Sequence, residues 1–355
     1  MLPYFTRDFG NAASKSHAYG WVAEEAVDMA REQVAALLNA EPSEIIFTSG
    51  ATESVNLALR GAFELYASKG KHIITTAVEH KAVLDTCQYL ETIGAEVTIV
   101  PVDASGRVDP QAIRETIRPD TILIAVMYAN NETGVIMPVQ EIGHIAKEKG
   151  VFFFSDATQA VGKIPVDVQA DGIDLLCLSA HKMYGPKGAG ALYVRRRDPR
   201  VRLKPLQYGG GHEKGMRSGT LNVPGIVGLG KAAEICRKEM LADAERIAQL
   251  RDRLLYALLE KPGTALNGDK KLLLPNTANI SFEGSNSQIL LAKLNKQIAL
   301  SSGSACTSAT LEPSYVLTAM GFGEERAAAA LRFSLGRFTT EEEVELAIKR
   351  LEVRD

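Results

Sequence analysis

VFFFSDATQAVGKIPVDVQADGIDLLCLSAHKMYGPKG, residues 151–188, contains two apolar runs that each lead into a charged residue. The first, residues 151–154, is short, β-branched or aromatic, and unbroken by polar residues, which reads as a buried strand rather than a helix. Asp156 stands just after it, where a carboxylate is costly unless a cation or hydrogen-bond donors meet it. DLLCLSA, residues 174–180, reads the same way and sets Lys182 in the equivalent place. A lysine at the mouth of such a site has its ammonium disfavoured by desolvation, and a neutral amine can form a Schiff base. Taken singly, either residue would more often be a snorkelling or salt-bridged structural group.

The same rhythm extends to both sides. Val22, Ala26, Val27, Ala30, Val34, Leu37 and Leu38 recur at helical spacing. EIIFTSG then reads as a strand and the stretch 51–70 as a helix; HIITTA, EVTIVPVD and TILIAVMYA read as further strands, separated by helices near 81–94 and 110–117. A helix over 139–150, the two strands quoted above and the strand GALYVRR complete the pattern. Alternation of this kind specifies an α/β fold, a mostly parallel sheet with helices on both faces. The long helical stretch from about residue 224 to 259 breaks the alternation, and TANISFEG, SQILLAKLNK, IALSSGS and LRFSLG suggest a smaller α+β unit. The expected division is a large domain over 1–240, whose first residues can pack with the small domain, and a C-terminal domain over 241–355.

Ligands of open α/β sheets gather beyond the carboxyl ends of the strands. After EIIF comes TSGATES, where Gly50 lets the backbone approach a ligand and Ala51, Thr52 and Glu53 open a helix. Free amides at a helix N-terminus beside hydroxyls make a phosphate cradle, or else a plain N-cap. No GxxxxGK[ST] is present and no GxGxxG follows a strand, which argues against ATP or NAD. A lysine for an aldehyde, a carboxylate for a pyridine nitrogen and a helix terminus for a phosphate are together what pyridoxal 5'-phosphate requires.

Composition narrows the class. The chain of 355 residues is 46% hydrophobic and 23% charged with a formal net charge of −3, ordinary for a soluble globular protein and unlike a general nucleic-acid or membrane-surface binder. YVRRRDPRVRLK, residues 193–204, could make no more than a small basic patch. The 4 cysteines, Cys87, Cys177, Cys236 and Cys306, form no CxxC pair and have no histidine at metal spacing, so neither a disulfide framework nor a metal site is indicated. The reading is a reduced, cytoplasmic protein. Three of the cysteines lie in helical or strand patterns and read as small core residues. Cys306, in SSGSACTS, has almost nothing bulky around it, so it is either an inconsequential loop residue or a thiol kept mobile for a purpose.

SGATES, VEHKAVL, NNETG, DATQ, SAHKMYGPKG, GGGHEKGMRSGT, SSGSACTSATLEPSYVL and RFSLGRFTTEEE, in this order, resemble the cysteine desulfurases of the IscS/NifS type. These are pyridoxal-phosphate enzymes of the class V aminotransferase family with the aspartate-aminotransferase fold (fold type I). The resemblance covers nearly the whole chain, and HKMYGPKG together with SSGSACTS carries most of its specificity. It implies that Lys182 holds the cofactor covalently, that Asp156 pairs with its ring nitrogen, and that His80 stacks on the ring. It further implies that Gln159 contacts the phenolic oxygen, and that Ala51, Thr52, Ser179 and His181 hold the phosphate. Thr220 would reach that phosphate from the partner subunit of a homodimer. Asn131 and Arg332 match the positions that receive the substrate carboxylate, a task suited to the planar arginine fork. Read without the resemblance, Asn131 could be a turn residue and His80 a helix cap.

On this reading Cys306 takes sulfur from L-cysteine as a persulfide, L-alanine is released, and the sulfur passes to an acceptor protein such as an iron–sulfur scaffold. The flanking Ser and Gly suit a mobile arm. The family's members also have an N-terminal segment before the position matched by Met1 and a tail beyond the position of Asp355, which the resemblance assigns to the active-site entrance and to acceptor docking. Two other functions fit the same motifs: a related class V aminotransferase or selenocysteine lyase, in which Cys306 would be dispensable, and a weakly active cofactor-binding scaffold.

Overall fold

Residues 1–302 and 313–352 are described by a computed structural model of the chain. Its centre is built from short runs: β1 (Ile45–Thr48), β2 (His72–Thr76), β3 (Glu96–Val100), β4 (Thr121–Ala125), β5 (Phe152–Asp156), β6 (Leu175–Ser179) and β7 (Gly190–Val194), all but the edge strand β3 buried on both faces. They form one seven-stranded sheet in the order β1-β7-β6-β5-β4-β2-β3. Every neighbouring pair is parallel except those of β7, which runs antiparallel to both β6 and β1.

The period of two along each strand divides the core into two layers. Ile45, Phe47, Ile74, Ile124 and Phe153 face a cluster with α1 (Ala18–Leu38) and α5 (Val139–Lys149). Their chain neighbours Ile46, Ile73, Leu123 and Phe154 face α2 (Ala51–Tyr66) and α3 (Lys81–Thr92) on the other side. Burial of each such side chain contributes about 1.5–3 kcal/mol. α4 (Pro110–Thr116) starts at an Asp109 cap with proline in its first turn, an arrangement that satisfies one orphan amide and removes another.

α6 (Val223–Leu259) is 37 residues long and links the two cores. Ile226, Leu229 and Cys236 of its first half belong to the core of the large sheet, whereas Ile247, Leu254 and Leu258 belong to a second cluster. That second core covers an antiparallel sheet of β8 (Thr264–Leu266), β9 (Thr277–Phe282), β10 (Ser301–Ser302) and β11 (Ala330–Ser334), in the order β10-β11-β9-β8. α7 (Ser287–Leu294), α8 (Tyr315–Ala319), α9 (Glu324–Ala328) and α10 (Glu341–Glu352) surround it. Met1 and Tyr4 lie in a groove with Met29 of α1 and Gly228 of α6. Among the described residues no helix is long and apolar enough to cross a membrane.

The topology fixes where chemistry can occur. β1, β2, β4, β5 and β6 run in one direction, so the segments after Thr48, Thr76, Ala125, Asp156 and Ser179 all emerge on one edge of the sheet. This is where an open parallel sheet leaves a crevice.

Candidate active site

Strand register builds the first wall. Thr48 and Ser179 both pair with Gly190, so the ends of β1 and β6 flank one glycine. A Cβ added at Gly190 would stand 2.6 Å from Gly50 Cα and 2.7 Å from the Leu178 carbonyl oxygen, so only glycine allows the start of α2 to lie this close. Gly50 caps α2 at φ 154°, a conformation that side chains disfavour. The first-turn amides of Ala51 and Thr52 have no acceptor inside the helix. Beside them the Ser179 hydroxyl and His181 Nδ1 are 2.9 Å apart. Burial, with the charges of Lys182 and Lys187, pulls the His181 imidazole below its ordinary range and favours the neutral ring. Amides, a hydroxyl and a neutral imidazole at a helix N-terminus suit a phosphate.

Glu53, in the same first turn, would oppose an anion were it not neutralised. Burial pushes its carboxyl up, but Arg217, at 2.8 Å, and the Ser49 amide outweigh this and hold it below the usual range. Arg217 belongs to the loop 209–220, whose other anchor is buried Glu213, paired with Arg31 at 2.7 Å and accepting the Phe47 amide at 2.7 Å. Thr220, on this loop, is exposed and does not line the cavity described next.

A cavity of about 230 Å³ brings together Ala51, His80, Asn131, Asp156, Gln159, Lys182 and Arg332. Met127, Ala129 and Thr158 complete its lining. Lys182 ends the short helical turn Ala180–Lys182 directly after β6. Asp156, the last residue of β5, is 6% exposed, and its Oδ1 accepts the Thr158 amide at 3.0 Å. His80 is both a cap and a cavity residue: Nδ1 accepts the Ala82 amide at the start of α3 at 3.1 Å, which leaves the ring proton on Nε2.

NNETG divides its two asparagines between tasks. Asn130 makes the turn, with Oδ1 accepting the amides of Glu132 and Thr133 at 2.8 and 2.9 Å while Nδ2 donates to the Val78 carbonyl. Asn131 is thereby released into the cavity, where its Oδ1 is buried without a partner. Arg332, on β11, donates from one terminal nitrogen to the Asn131 carbonyl at 2.9 Å, yet its Nε is also buried and unpartnered. An unpaired side-chain amide and an unpaired guanidinium nitrogen facing one cavity call for a polar ligand that can bond to both, because each unpaired buried group costs about 1–3 kcal/mol.

Two buried carboxyls, each next in the chain to a residue of the cavity lining, are not singled out by any motif. Glu79, fully buried, accepts Thr76 Oγ1 at 2.7 Å and the Met127 amide at 2.9 Å, while its Oε2 is unpaired. Burial pushes it up to about 8. Glu132 accepts Ser314 Oγ at 2.5 Å and is pushed up to about 7 by burial. A carboxylate beside each histidine or asparagine of a turn is the only sequence sign of either.

Three thiols are inert. Burial raises Cys87 to about 12, raises Cys177 well above the ordinary thiol range with help from the Asp156 charge, and raises Cys236. Cys306 lies outside the described residues, but the roots of its segment are tied to a lining residue on one side and to chain neighbours of lining residues on the other. Ser301 pairs with Arg332 across β10 and β11, and the Tyr315 hydroxyl donates to the Glu79 carbonyl at 2.6 Å, next to the Ser314–Glu132 bond.

These residues fit pyridoxal phosphate: a phosphate-suited helix terminus, a buried carboxylate for the ring nitrogen and a lysine for the aldehyde border one cavity. Comparison with known proteins agrees. Residues 1–346 match the family model "Aminotransferase class-V". The chain is 57% identical over 350 residues to "Cysteine desulfurase IscS" of Anaeromyxobacter dehalogenans (strain 2CP-C), covering 98% of this chain and 86% of that protein. Among solved structures, a "NifS-like protein" superposes with a TM-score of 0.91 at 38% identity, covering 99% of this chain and 93% of the other. The structure "SspA in complex with cysteine" follows with 0.81 at 39% identity, covering 95% and 94%. Fold, cavity and relatives converge: the chain belongs to the class V aminotransferase family of pyridoxal-phosphate enzymes, among its cysteine desulfurases.

Proposed function

We propose that this cavity converts L-cysteine to L-alanine and delivers the sulfur to Cys306 as a persulfide. The observation that carries the reading is the pairing, in one cavity, of Lys182 and Asp156 with the unpartnered polar atoms of Asn131 and Arg332. Lys182 holds pyridoxal phosphate covalently, and the bound cofactor supplies an electron-withdrawing ring that labilises the substrate's α-hydrogen and weakens its carbon–sulfur bond. Asp156 keeps the ring nitrogen protonated, and His80 covers the ring. The amides of Ala51 and Thr52, with Ser179 and His181, hold the phosphate.

The substrate carboxylate satisfies Arg332 and Asn131. Arg332 donates through Nε and its free guanidinium hydrogens, while Asn131 turns its amide to donate through Nδ2. Lys182, once its amine is free, would carry the α-proton as a general base. The Cys306 thiolate forms a sulfur–sulfur bond as the substrate carbon–sulfur bond breaks; the electron pair stays with carbon, which takes a proton to become the methyl group of alanine. Atoms and electrons balance with no external oxidant, and the persulfide is the product left on the protein.

The working unit is a homodimer in which Thr220 completes the partner's phosphate site; support comes from the exposure of Thr220 and from the ion pairs that pin its loop against α1 and α2. The split of α6 between two cores supports a large domain over 1–240 and a small one over 241–355. The sulfur is passed to acceptor proteins in the cytoplasm, for iron–sulfur clusters or thio-cofactors and thio-nucleosides. The test is alanine formed from L-cysteine, with added cofactor and a reductant, by the parent and by Cys306→Ala. The parent turns over and the variant does not; undiminished turnover by Cys306→Ala would instead assign lyase or aminotransferase chemistry.

A further inference from the structure

Lys163 follows the DATQ turn and is absorbed by none of the roles above. Its side chain is half-buried as a whole, while the ammonium end lies in the interior. Nζ donates to two atoms of one residue, the Gln159 carbonyl oxygen at 2.9 Å and Gln159 Oε1 at 2.8 Å. Among the described residues it has no carboxylate within ion-pair distance. The charges that face it are mostly of its own sign. Lys182 and Arg332 act on it from the cofactor cavity, Cys236 from α6, and Asp243 and Arg337 border the small cavity of about 20 Å³ in which it sits.

We propose that Lys163 is a positioning residue for the cofactor's phenolic oxygen, acting through the side-chain amide of Gln159. This rests on the reading that Gln159 meets that oxygen. While Lys163 is charged it has donors and no acceptor, so only Oε1 of the amide can face it. The choice between the two orientations of a glutamine amide is therefore settled by chemistry, independently of how oxygen and nitrogen are assigned. With Oε1 held at Lys163, the donor end Nε2 is the end left for the cavity that Gln159 lines. Nε2 has no protein acceptor among the described residues. Burial, followed by the charges of Lys182 and Arg332, brings the Lys163 ammonium down to about 7, so an anionic oxygen nearby would also return part of the cost of its charge.

A fixed donor at the phenolic oxygen has a spectroscopic consequence. While the nitrogen of the lysine–cofactor linkage keeps its proton, that proton satisfies the oxygen internally. Once the proton leaves, the oxygen needs an outside donor, which Gln159 Nε2 supplies. Removing that donor, or the cation behind it, therefore raises the pH at which the linkage deprotonates.

The experiment titrates the visible absorption band of the purified, cofactor-loaded protein against pH, for the parent, Lys163→Met, Lys163→Arg and Gln159→Ala. Lys163→Met and Gln159→Ala are expected to raise the midpoint by about one pH unit, a tenfold change in proton affinity, and Lys163→Arg to stay near the parent. A Gln159→Ala shift with no Lys163→Met shift overturns the proposal and leaves Gln159 in place. No shift in Gln159→Ala removes the reading of Gln159 and the proposal with it. Should Lys163→Met fail to fold, Lys163→Gln replaces it; an unshifted midpoint there is equally fatal, because an uncharged amide neither locks Gln159 in one orientation nor supplies the field.

Discussion

Glu79→Gln tests the electrostatics of the site floor. In the folded protein the Glu79 carboxyl is fully buried, has one oxygen unpaired, and titrates at about 8 instead of the ordinary 4.5, burial being the main cause and the nearby Asp156 charge adding to it. The native state thus holds a proton that the unfolded chain gives up at lower pH. Stability from this group is complete below about pH 4.5 and is lost as pH rises toward 8. At about 1.4 kcal/mol per pH unit the loss comes to about 5 kcal/mol over that window.

Glutamine preserves the acceptor that receives Thr76 Oγ1 and the Met127 amide but cannot ionise, so the variant lacks this loss. It instead carries one more unpaired buried N–H, at about 1–3 kcal/mol. The two stability curves must therefore cross: the variant is the weaker protein near pH 5 and the stronger one above pH 8. Urea denaturation of both cofactor-free proteins across this range gives the difference directly, since contributions from Glu132 and Asp174 are common to both and cancel. Parallel curves would refute the assignment of a neutral Glu79.

Three further outcomes follow from the geometry. Gly190→Ala drives a methyl group to within 2.6 Å of Gly50 Cα, so about 1–3 kcal/mol of stability is lost and equilibrium dialysis shows weaker cofactor binding, because α2 must retreat from the phosphate. Glu213→Ala strands Arg31, of which the guanidinium also donates to the Ile45 carbonyl and lies 4.6 Å over the Phe47 ring, and costs about 3–5 kcal/mol in chemical denaturation; Arg31→Met combined with Glu213→Leu recovers much of it. Ser314→Ala removes both the bond to Glu132 and the cap of α8, costing about 1–2 kcal/mol; single-turnover persulfide formation on Cys306 slows, while cofactor absorbance at saturation is unchanged.

What the sequence makes legible is local. β5 and β6 are uninterrupted apolar runs, and a charged residue at the end of such a run stands out, so Asp156 and Lys182 are visible from the order of residues alone. Gly50 with Ala51 and Thr52 is visible for a similar reason, as a turn that opens a helix. The direction of β7 and the small strands β8 and β10 are not legible, since 3 and 2 residues carry no usable period. Glu79 and Glu132 escape a reading of the sequence because their burial is imposed from elsewhere: the Met127 amide comes from the segment after β4, and Ser314 lies 182 residues along the chain from Glu132. Asn131 can be read as a turn residue instead of a ligand, and only the bonds of its neighbour Asn130 decide that the turn is made without it.

The roots of the Cys306 segment connect these observations to the chemistry. The entering root, Ser301–Ser302, is hydrogen-bonded to the strand that carries Arg332, so it moves with the group proposed to grip the substrate carboxylate. The leaving root is bonded through Ser314 and Tyr315 to Glu132 and to the Glu79 carbonyl, next in the chain to Asn131 and His80. Cys306 is four residues beyond Ser302, a contour of about 14 Å, so its Cα can lie no farther than that from the end of β10 whatever path the chain takes. A serine-rich arm of this length needs both roots fixed at the cavity rim, because each added residue of slack dilutes the thiol around the substrate sulfur. Glu132 thus does for the proposed sulfur acceptor what Asn130 does for Asn131: it commits a buried polar group to position, and its bond to Ser314 draws its carboxyl down against the burial that raises it.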